Sequence, residues 1–369
     1  MKIGIITDRL GLDTGGLETY ERGLLSGLAE LQPQYQFEVY CSSSQAAAGI
    51  PQLGKRCSIH PVCPQSTWLR YSLGLPLRLH WQHNDVVHAC FVPPWTSPRP
   101  LIVTVHDLFP FMQQSQLPYS VELRLKFLLR VGLRRASRVI AVSEKTKQDI
   151  VNLFHLDPDL VRVIHLGIDR HYQPGSEDED SSTSGQFPLP ERYILYLGRI
   201  EPRKNFGALL QAYRWLRKHR KIPQKLLVVG RIEPWGRREL GRLAPLLGED
   251  VIFTGYLPHA RLPRIYRRAE VFAFPSLAEG FGLPPLEAMA SGTPVVASRI
   301  PALGEVLGSA ALLVDPHDPL DLAAAILRLL EDEALREHMR LQGLAQAARF
   351  SWRETARQTL AVYQETLAQ

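Results

Sequence analysis

The sequence predicts an α/β fold made of two doubly wound parallel-sheet domains in tandem. Three observations carry that expectation. Short β-rich runs alternate with helical stretches along most of the chain, which is the pattern of parallel strands joined by crossover helices. The alternation is interrupted once, by an acidic, serine-rich stretch bounded by prolines. At 369 residues the chain is also too long for one ordinary hydrophobic core.

Taken in order, residues 2–7 form a nearly unbroken apolar run, as expected of a strand covered by helices on both faces. Thr14 is placed to cap the next helix, on which Leu17, Tyr20, Leu24 and Leu28 share one face. Strands are expected at 37–41, 85–90, 101–106, 138–143 and 161–165, and helices at 121–135 and 144–154. Residues 173–190 cannot bury enough apolar surface to order themselves and are assigned as the linker. The second series runs strand 193–197, helix 206–219, strand 225–229, helix 238–247, strand 251–254 and helix 262–268. It continues with strand 271–275, helix 283–290 and strands 294–297 and 311–314, then helices from 321 to 369. The division is therefore 1–172, linker 173–190, 191–349, and a terminal segment 350–369. In open parallel sheets ligands bind beyond the carboxyl ends of the strands, so two such domains facing each other would place a site in the cleft between them.

The composition, 45% apolar and 22% charged, is that of an ordinary globular protein. A net charge of +6 suits anionic partners. No aromatic RNA-binding motif, helix-turn-helix signature or Cys/His finger accompanies the charge, so no nucleic-acid partner is expected. No apolar run reaches membrane-spanning length, and the opening residues carry no cleavage signal. Cys41, Cys57, Cys63 and Cys90 form no C-x-x-C pair and read as reduced thiols of a cytoplasmic enzyme.

The stretch from Pro275 to Val296 is the most informative. It reads strand, glycine-rich loop, helix, turn, strand. Gly280 and Gly282 let backbone approach a ligand closely. The helix beginning near Leu283 turns its N–H groups and positive dipole end toward that loop, and Pro284 removes a donor that would be orphaned anyway. Glu279 before the helix and Glu287 one turn inside it can meet two ends of one ligand, sugar hydroxyls and a ribose diol respectively. Spacing alone would leave both as solvated acids; the glycine loop favours ligand contact.

With Glu279 and Glu287 at that spacing around Gly-Phe-Gly-Leu-Pro, the sequence resembles glycosyltransferase family 4, retaining enzymes of the GT-B fold, in its mannosyltransferase-like members. The resemblance extends to Gly15-Gly16, Thr104-Val-His106-Asp107, the stretch His165 to Asp169, the stretch Gly198 to Asn205, and Phe350-Ser-Trp352 before a terminal helix. It implies that Arg199 and Lys204 hold a donor diphosphate, with backbone N–H groups of Gly282 and Leu283 on the same phosphates and Gly16 closing from the first domain. It further implies that the backbone near Tyr256 meets the base, that His106 contacts the transferred sugar, and that the terminal helix returns to the first domain. Arg199 and Lys204 also read as turn cations, and His106 as a strand-end structural histidine; their places after parallel strands favour ligand contact.

The donor implied is a nucleotide diphosphate-sugar, with GDP-mannose ahead of UDP-glucose and UDP-linked N-acetyl sugars. The acceptor is a glycan or lipid-linked glycan, and no cofactor or metal is expected. The Asp178-Glu-Asp180 run lies in the linker, away from any strand end where a metal-binding Asp-x-Asp would sit. An epimerase of the same fold and a non-turning-over nucleotide-sugar module are the other readings. Gly49 to Lys55 imitates a phosphate-binding loop, but Arg56 stands where Ser or Thr is required. His80, His83 and His88 lack further ligands at zinc spacing and read as structural. The basic amphipathic stretch 121–138 fits either an ordinary surface helix or peripheral contact with an anionic membrane.

Overall fold

A computed structural model describes residues 1–12, 15–31, 34–42, 56–64, 66–112, 118–175, 189–232 and 234–368, apart from the side chains at 234 and 235. Thr14, the loop-like run 49–55, the Asp178–Asp180 run and most of the expected linker lie outside the described residues. The chain forms two compact units, Met1–Gly167 with Phe350–Gln369, and Ile168–Arg349. The second unit thus begins at 168, ahead of the boundary expected at 172.

The first unit holds a seven-stranded parallel sheet in the order β3-β2-β1-β4-β5-β6-β7. Its strands are β1 (Lys2–Ile6), β2 (Gln36–Cys41), β3 (Cys57–Pro61), β4 (Val86–Ala89), β5 (Leu101–Val105), β6 (Arg138–Ala141) and β7 (Val161–Val163). Ile3 pairs with Phe37 on one side and Val86 on the other. The central strands are mostly apolar and fully buried, because helices cover both faces of the sheet. The helices are α1 (Gly16–Leu31), α2 (Leu75–Gln82), α3 (Tyr119–Arg135) and α4 (Glu144–Phe154). The Ser143 hydroxyl caps α4 by accepting from the Thr146 N–H.

Two elements here differ from expectation. β3 is an edge strand, half-buried and polar, so it carries no apolar run. Residues 67–82 form a helical segment, Thr67–Leu69 and π-helical Arg70–Gly74 running into α2. Gly74 and Pro76 inside it are residues of low intrinsic helix propensity. Gly74 is required there because a Cβ would lie 2.2 Å from the Cys63 carbonyl oxygen.

The second unit repeats the pattern with six parallel strands in the order β10-β9-β8-β11-β12-β13. These are β8 (Tyr193–Leu197), β9 (Lys225–Val229), β10 (Val251–Gly255), β11 (Val271–Phe274), β12 (Val295–Ser298) and β13 (Leu312–Val314). Its helices are α5 (Phe206–His219), α6 (Pro234–Leu243), α7 (Leu262–Arg267), α8 (Leu283–Ala290), α9 (Pro301–Leu307), α10 (Pro319–Glu331) and α11 (Glu333–Ala347). α6 starts and ends earlier than expected and passes into a 3-10 turn, while α9 had no counterpart in the sequence reading. Ile194, Leu226, Val271 and Val296 from the sheet pack with Leu209, Tyr213 and Leu216 of α5 and Ile326 of α10 into one core. In both sheets the order reverses beside the first strand, between β1 and β4 and between β8 and β11. Loops leaving two such neighbours diverge and open a crevice at the strands' carboxyl ends.

The terminal helix α12 (Trp352–Leu367) belongs to the first unit and packs on α1. Its seat is cut by glycine. A Cβ on Gly23 would lie 2.1 Å from the Trp352 indole, and one on Gly27 would lie 2.2 Å from the Trp352 carbonyl oxygen. Tyr363 then reaches the sheet, its hydroxyl 2.7 Å from His88 Nδ1, while His88 Nε2 meets the Thr104 hydroxyl at 2.7 Å. Burial drives the His88 pKa down to about 3, so it is a neutral structural histidine.

Candidate active site

The second unit brings Arg203, Lys204 and Glu279 together at the reversal point of its sheet. The loop after β8 carries Arg199, then a 3-10 turn Pro202–Lys204, and ends at Asn205 with φ 55°. The loop after β11 runs from Pro275 to Gly282, where φ is 108° and the chain enters α8. A side chain at Gly282 would be strained at that φ, and its Cβ would lie 2.5 Å from Leu303.

The two loops are laced together. Asn205 Nδ2 donates to the Pro275 carbonyl at 3.1 Å and the Pro316 carbonyl at 2.7 Å, and the Leu277 N–H donates to the Arg203 carbonyl. Arg203 donates to the Ala278 carbonyl at 2.9 Å and to the Glu201 carboxylate at 2.5 Å.

Within this frame Lys204 Nζ donates to Glu279 Oε1 at 2.6 Å, and Arg203 lies 3.4 Å from Glu279 Oε2. The Lys204 and Glu279 side chains are 13% and 10% exposed, so the pair is largely withdrawn from water. Burial alone would raise the Glu279 pKa, but the charges of Lys204 and Arg203 outweigh it and hold the carboxyl below its usual range. Burial outweighs the attraction of Glu279 for Lys204 and leaves that amine below its usual value, helped by the Arg203 charge. The Lys204 ammonium also stands 5.0 Å from the centre of the Phe274 ring.

α8 offers a second electropositive feature. Its first turn contains Pro284 and Pro285, which have no N–H, so Gly282 and Leu283 are the donor-bearing positions at its tip. Two cations and a helix N-terminus at one sheet end are suited to an anion with several oxygens.

Glu287 sits apart from Glu279. It is 6% exposed, accepts from the Tyr266 hydroxyl at 2.9 Å and lies 4.0 Å from His259 Nε2. Burial lifts its pKa to about 7, with the charge of Asp169 adding to the effect and the Tyr266 bond opposing it. Arg199 is exposed on the loop after β8, and the Arg231 guanidinium stands 4.5 Å over the Tyr256 ring.

In the first unit His106 follows β5, and its Nε2 is 2.9 Å from the Cys90 carbonyl. A carbonyl only accepts, so Nε2 carries the proton and Nδ1 keeps a lone pair in the neutral ring. Burial lowers the His106 pKa to about 4, so the ring is neutral near pH 7. Gly15, at φ 98°, precedes α1 and Gly16 opens it; a Cβ at Gly16 would meet nothing within 4 Å among the described residues. The loop before them is shaped by buried carboxylates: Glu21 accepts from the Asp8 and Arg9 N–H groups, and Glu18 from that of Gly11.

Sequence reasoning therefore named Lys204 and Glu279, which the fold brings into contact. It missed that Arg203, adjacent to Lys204, is the second cation on Glu279. It also missed that Tyr266 and His259 surround Glu287. Only the position of Arg203 in the same short turn could have signalled the first.

Comparisons with known proteins agree with this geometry. Residues 14–172 match the Glycosyltransferase Family 4 domain, and residues 177–345 match Glycosyl transferases group 1. The chain is 35% identical over 300 residues to an O-antigen chain mannosyltransferase B of Escherichia coli, covering 79% of this chain and 78% of that one. It is 31% identical over 280 residues to a serotype-specific mannosyltransferase WbdA of Escherichia coli, covering 74% of this chain but 34% of that larger protein. Among solved structures, a sucrose-phosphate synthase of Thermosynechococcus elongatus shares the fold, with a TM-score of 0.79 and 23% identity over 100% of this chain and 99% of that one.

Proposed function

The chain belongs to the family 4 glycosyltransferases, and we propose that it is a retaining, metal-independent mannosyltransferase using GDP-mannose and a glycan or lipid-linked glycan acceptor. The observation that carries this reading is the buried contact of Lys204 and Arg203 with Glu279 at the tip of α8. In transfer the leaving group is a nucleoside diphosphate. Lys204 and Arg199 stabilise its growing charge, with the N–H groups of Gly282 and Leu283 supplying further donors. Cations so placed do the work a divalent metal does elsewhere. Glu279 contacts the hydroxyls of the sugar, Glu287 the ribose diol, and the segment at Tyr256 the base. His106 stays neutral and accepts a sugar hydroxyl at Nδ1.

The reaction breaks the C1–phosphate oxygen bond and forms the C1–acceptor oxygen bond on the same face. The acceptor proton passes to the departing phosphate oxygen, so no side chain need become a covalent nucleophile. Mannose as the sugar, and polysaccharide assembly as the setting, follow from the similarity to the mannosyltransferases above.

The test is transfer from GDP-mannose, against UDP-sugars, in the presence of EDTA, with the product's anomeric configuration read by NMR. An α-linked product at a rate unchanged by chelation is expected. Loss of turnover in EDTA restored by manganese, or a β-linked product, would refute the mechanism.

A second surface favours peripheral contact with an anionic membrane. Among the described residues no helix is long and apolar enough to cross one. On the first unit Trp68 and Trp95 flank Phe127 of α3 at 6.3 and 6.1 Å, with Leu123 and Tyr119 exposed beside them and Arg124 over Trp68. Exposed aromatic side chains beside a helix that also exposes Arg130, Arg134 and Arg135 suit the interface of an acidic bilayer. Flotation with anionic vesicles should be lost when those three arginines become serine; no flotation of the unaltered protein would end this reading.

A further inference from the structure

Beside Glu287 the second unit also places two histidines and a carboxylate together. Asp169 and His171 lie on a turn closed by the Tyr172 N–H donating to the Asp169 carbonyl at 3.1 Å. His259 comes from a 3-10 turn, His259–Arg261, some 90 residues later in the chain. One nitrogen of each histidine and one oxygen of Asp169 all lie within 4.8 Å of one another. His171 Nδ1 is 3.9 Å from Asp169 Oδ2, and the two imidazole rings are 4.9 Å apart at 64°.

We propose that Asp169, His171 and His259 form a binding site for a divalent cation of the zinc type, separate from the residues assigned to the diphosphate. Two imidazoles and one carboxylate favour zinc, cobalt or nickel over magnesium or calcium, which prefer sets made wholly of oxygen. Ligands of a tetrahedral zinc ion stand roughly 3.3 Å apart, given bonds of about 2.0–2.1 Å. Closing the present spacing to that value needs rotation of three side chains that are 33–38% exposed. The fourth position is left to water, the arrangement of a three-ligand zinc site.

An outer shell is already in place. The Tyr172 hydroxyl lies 3.0 Å from His259 Nε2 and Glu287 Oε1 lies 4.0 Å from the same atom, so the His259 ring is oriented by neighbouring polar groups. An ion held there would tie the Asp169–Tyr172 turn to the His259 turn.

The test uses the full chain stripped of metal by chelation, without donor or acceptor, so its outcome is independent of the catalytic reading. Cobalt titration followed by visible absorption, and zinc titration by calorimetry, should show one saturable equivalent per chain. Zinc should also raise the melting temperature. Asp169→Asn should bind about tenfold to a hundredfold more weakly, by analogy with losses seen when a metal site's supporting groups are removed. His171→Ala combined with His259→Ala should lose the equivalent altogether while circular dichroism shows the fold intact. Should that double variant fail to fold, the exposed His171→Ala alone decides, with at least a tenfold loss expected. No saturable equivalent in the unaltered protein, or undiminished affinity in these variants, overturns the proposal.

Discussion

Replacing Lys204 with methionine keeps most of the side-chain volume and removes the charge, leaving Glu279 buried with Arg203 at 3.4 Å to compensate it. Removing one partner of a buried ion pair costs about 3–5 kcal/mol, because the remaining charge keeps its desolvation penalty without its partner. The nearby guanidinium argues for the lower end. For a unit of this size each kcal/mol lowers the melting temperature by roughly 2–4 °C, so a drop of about 6–12 °C is expected. Glu279→Gln alone strands Lys204 in the same way. The combination Lys204→Met with Glu279→Gln removes both charges and should recover most of the lost stability, because neither is left buried without its partner. Turnover should behave otherwise. If Lys204 stabilises the departing diphosphate, kcat/KM falls by about 10²–10³ in the single lysine variant and does not return in the combined one. The assay is a double-mutant cycle in urea, run beside transfer kinetics on the same samples. A lysine variant as stable as the unaltered protein would refute the buried-pair argument. A combined variant that regains turnover would refute the phosphate role.

Two further outcomes follow from the first unit. Gly23→Ala and Gly27→Ala should both loosen α12, measured as faster proteolysis of the last twenty residues and as lost stability of about 1–3 kcal/mol. Gly27→Ala should be the worse, since its Cβ meets backbone while that of Gly23 meets a side chain, and Trp352→Ala should relieve only the Gly23 variant; equal relief of both would contradict this packing. His88, neutral when folded with a pKa of about 3 against 6.5 in the unfolded chain, contributes stability that is complete above pH 6.5 and lost as pH falls toward 3. Urea denaturation at pH 7 and pH 4.5 should show a smaller acid loss for His88→Gln than for the unaltered protein; identical losses would refute the linkage.

Much of the architecture was legible in the residues because buried parallel strands write themselves as apolar runs. Residues 193–197, 206–219, 225–229 and 283–290 fall where periodicity puts them. The edge strand β3 and the segment around Gly74 were not legible, for different reasons. An edge strand shares its burial with water and so keeps polar residues. Gly74 looks like a breaker until the Cys63 carbonyl that excludes a side chain is known.

By itself the sequence determined the periodicities, the glycine loop before α8 and the spacing of Glu279 and Glu287, all of which are local properties of the chain. Only the tertiary structure decided which charges meet. The turn carrying Arg203 and Lys204 is separated from Glu279 by 75 residues or more, Tyr266 from Glu287 by 21, and the Asp169 turn from His259 by almost 90. Their partners are chosen by the order of strands in a sheet, since neighbours in that order need not be neighbours in the chain. Pairing across such distances leaves no periodic trace, because the energy of a charge depends on what surrounds it in space.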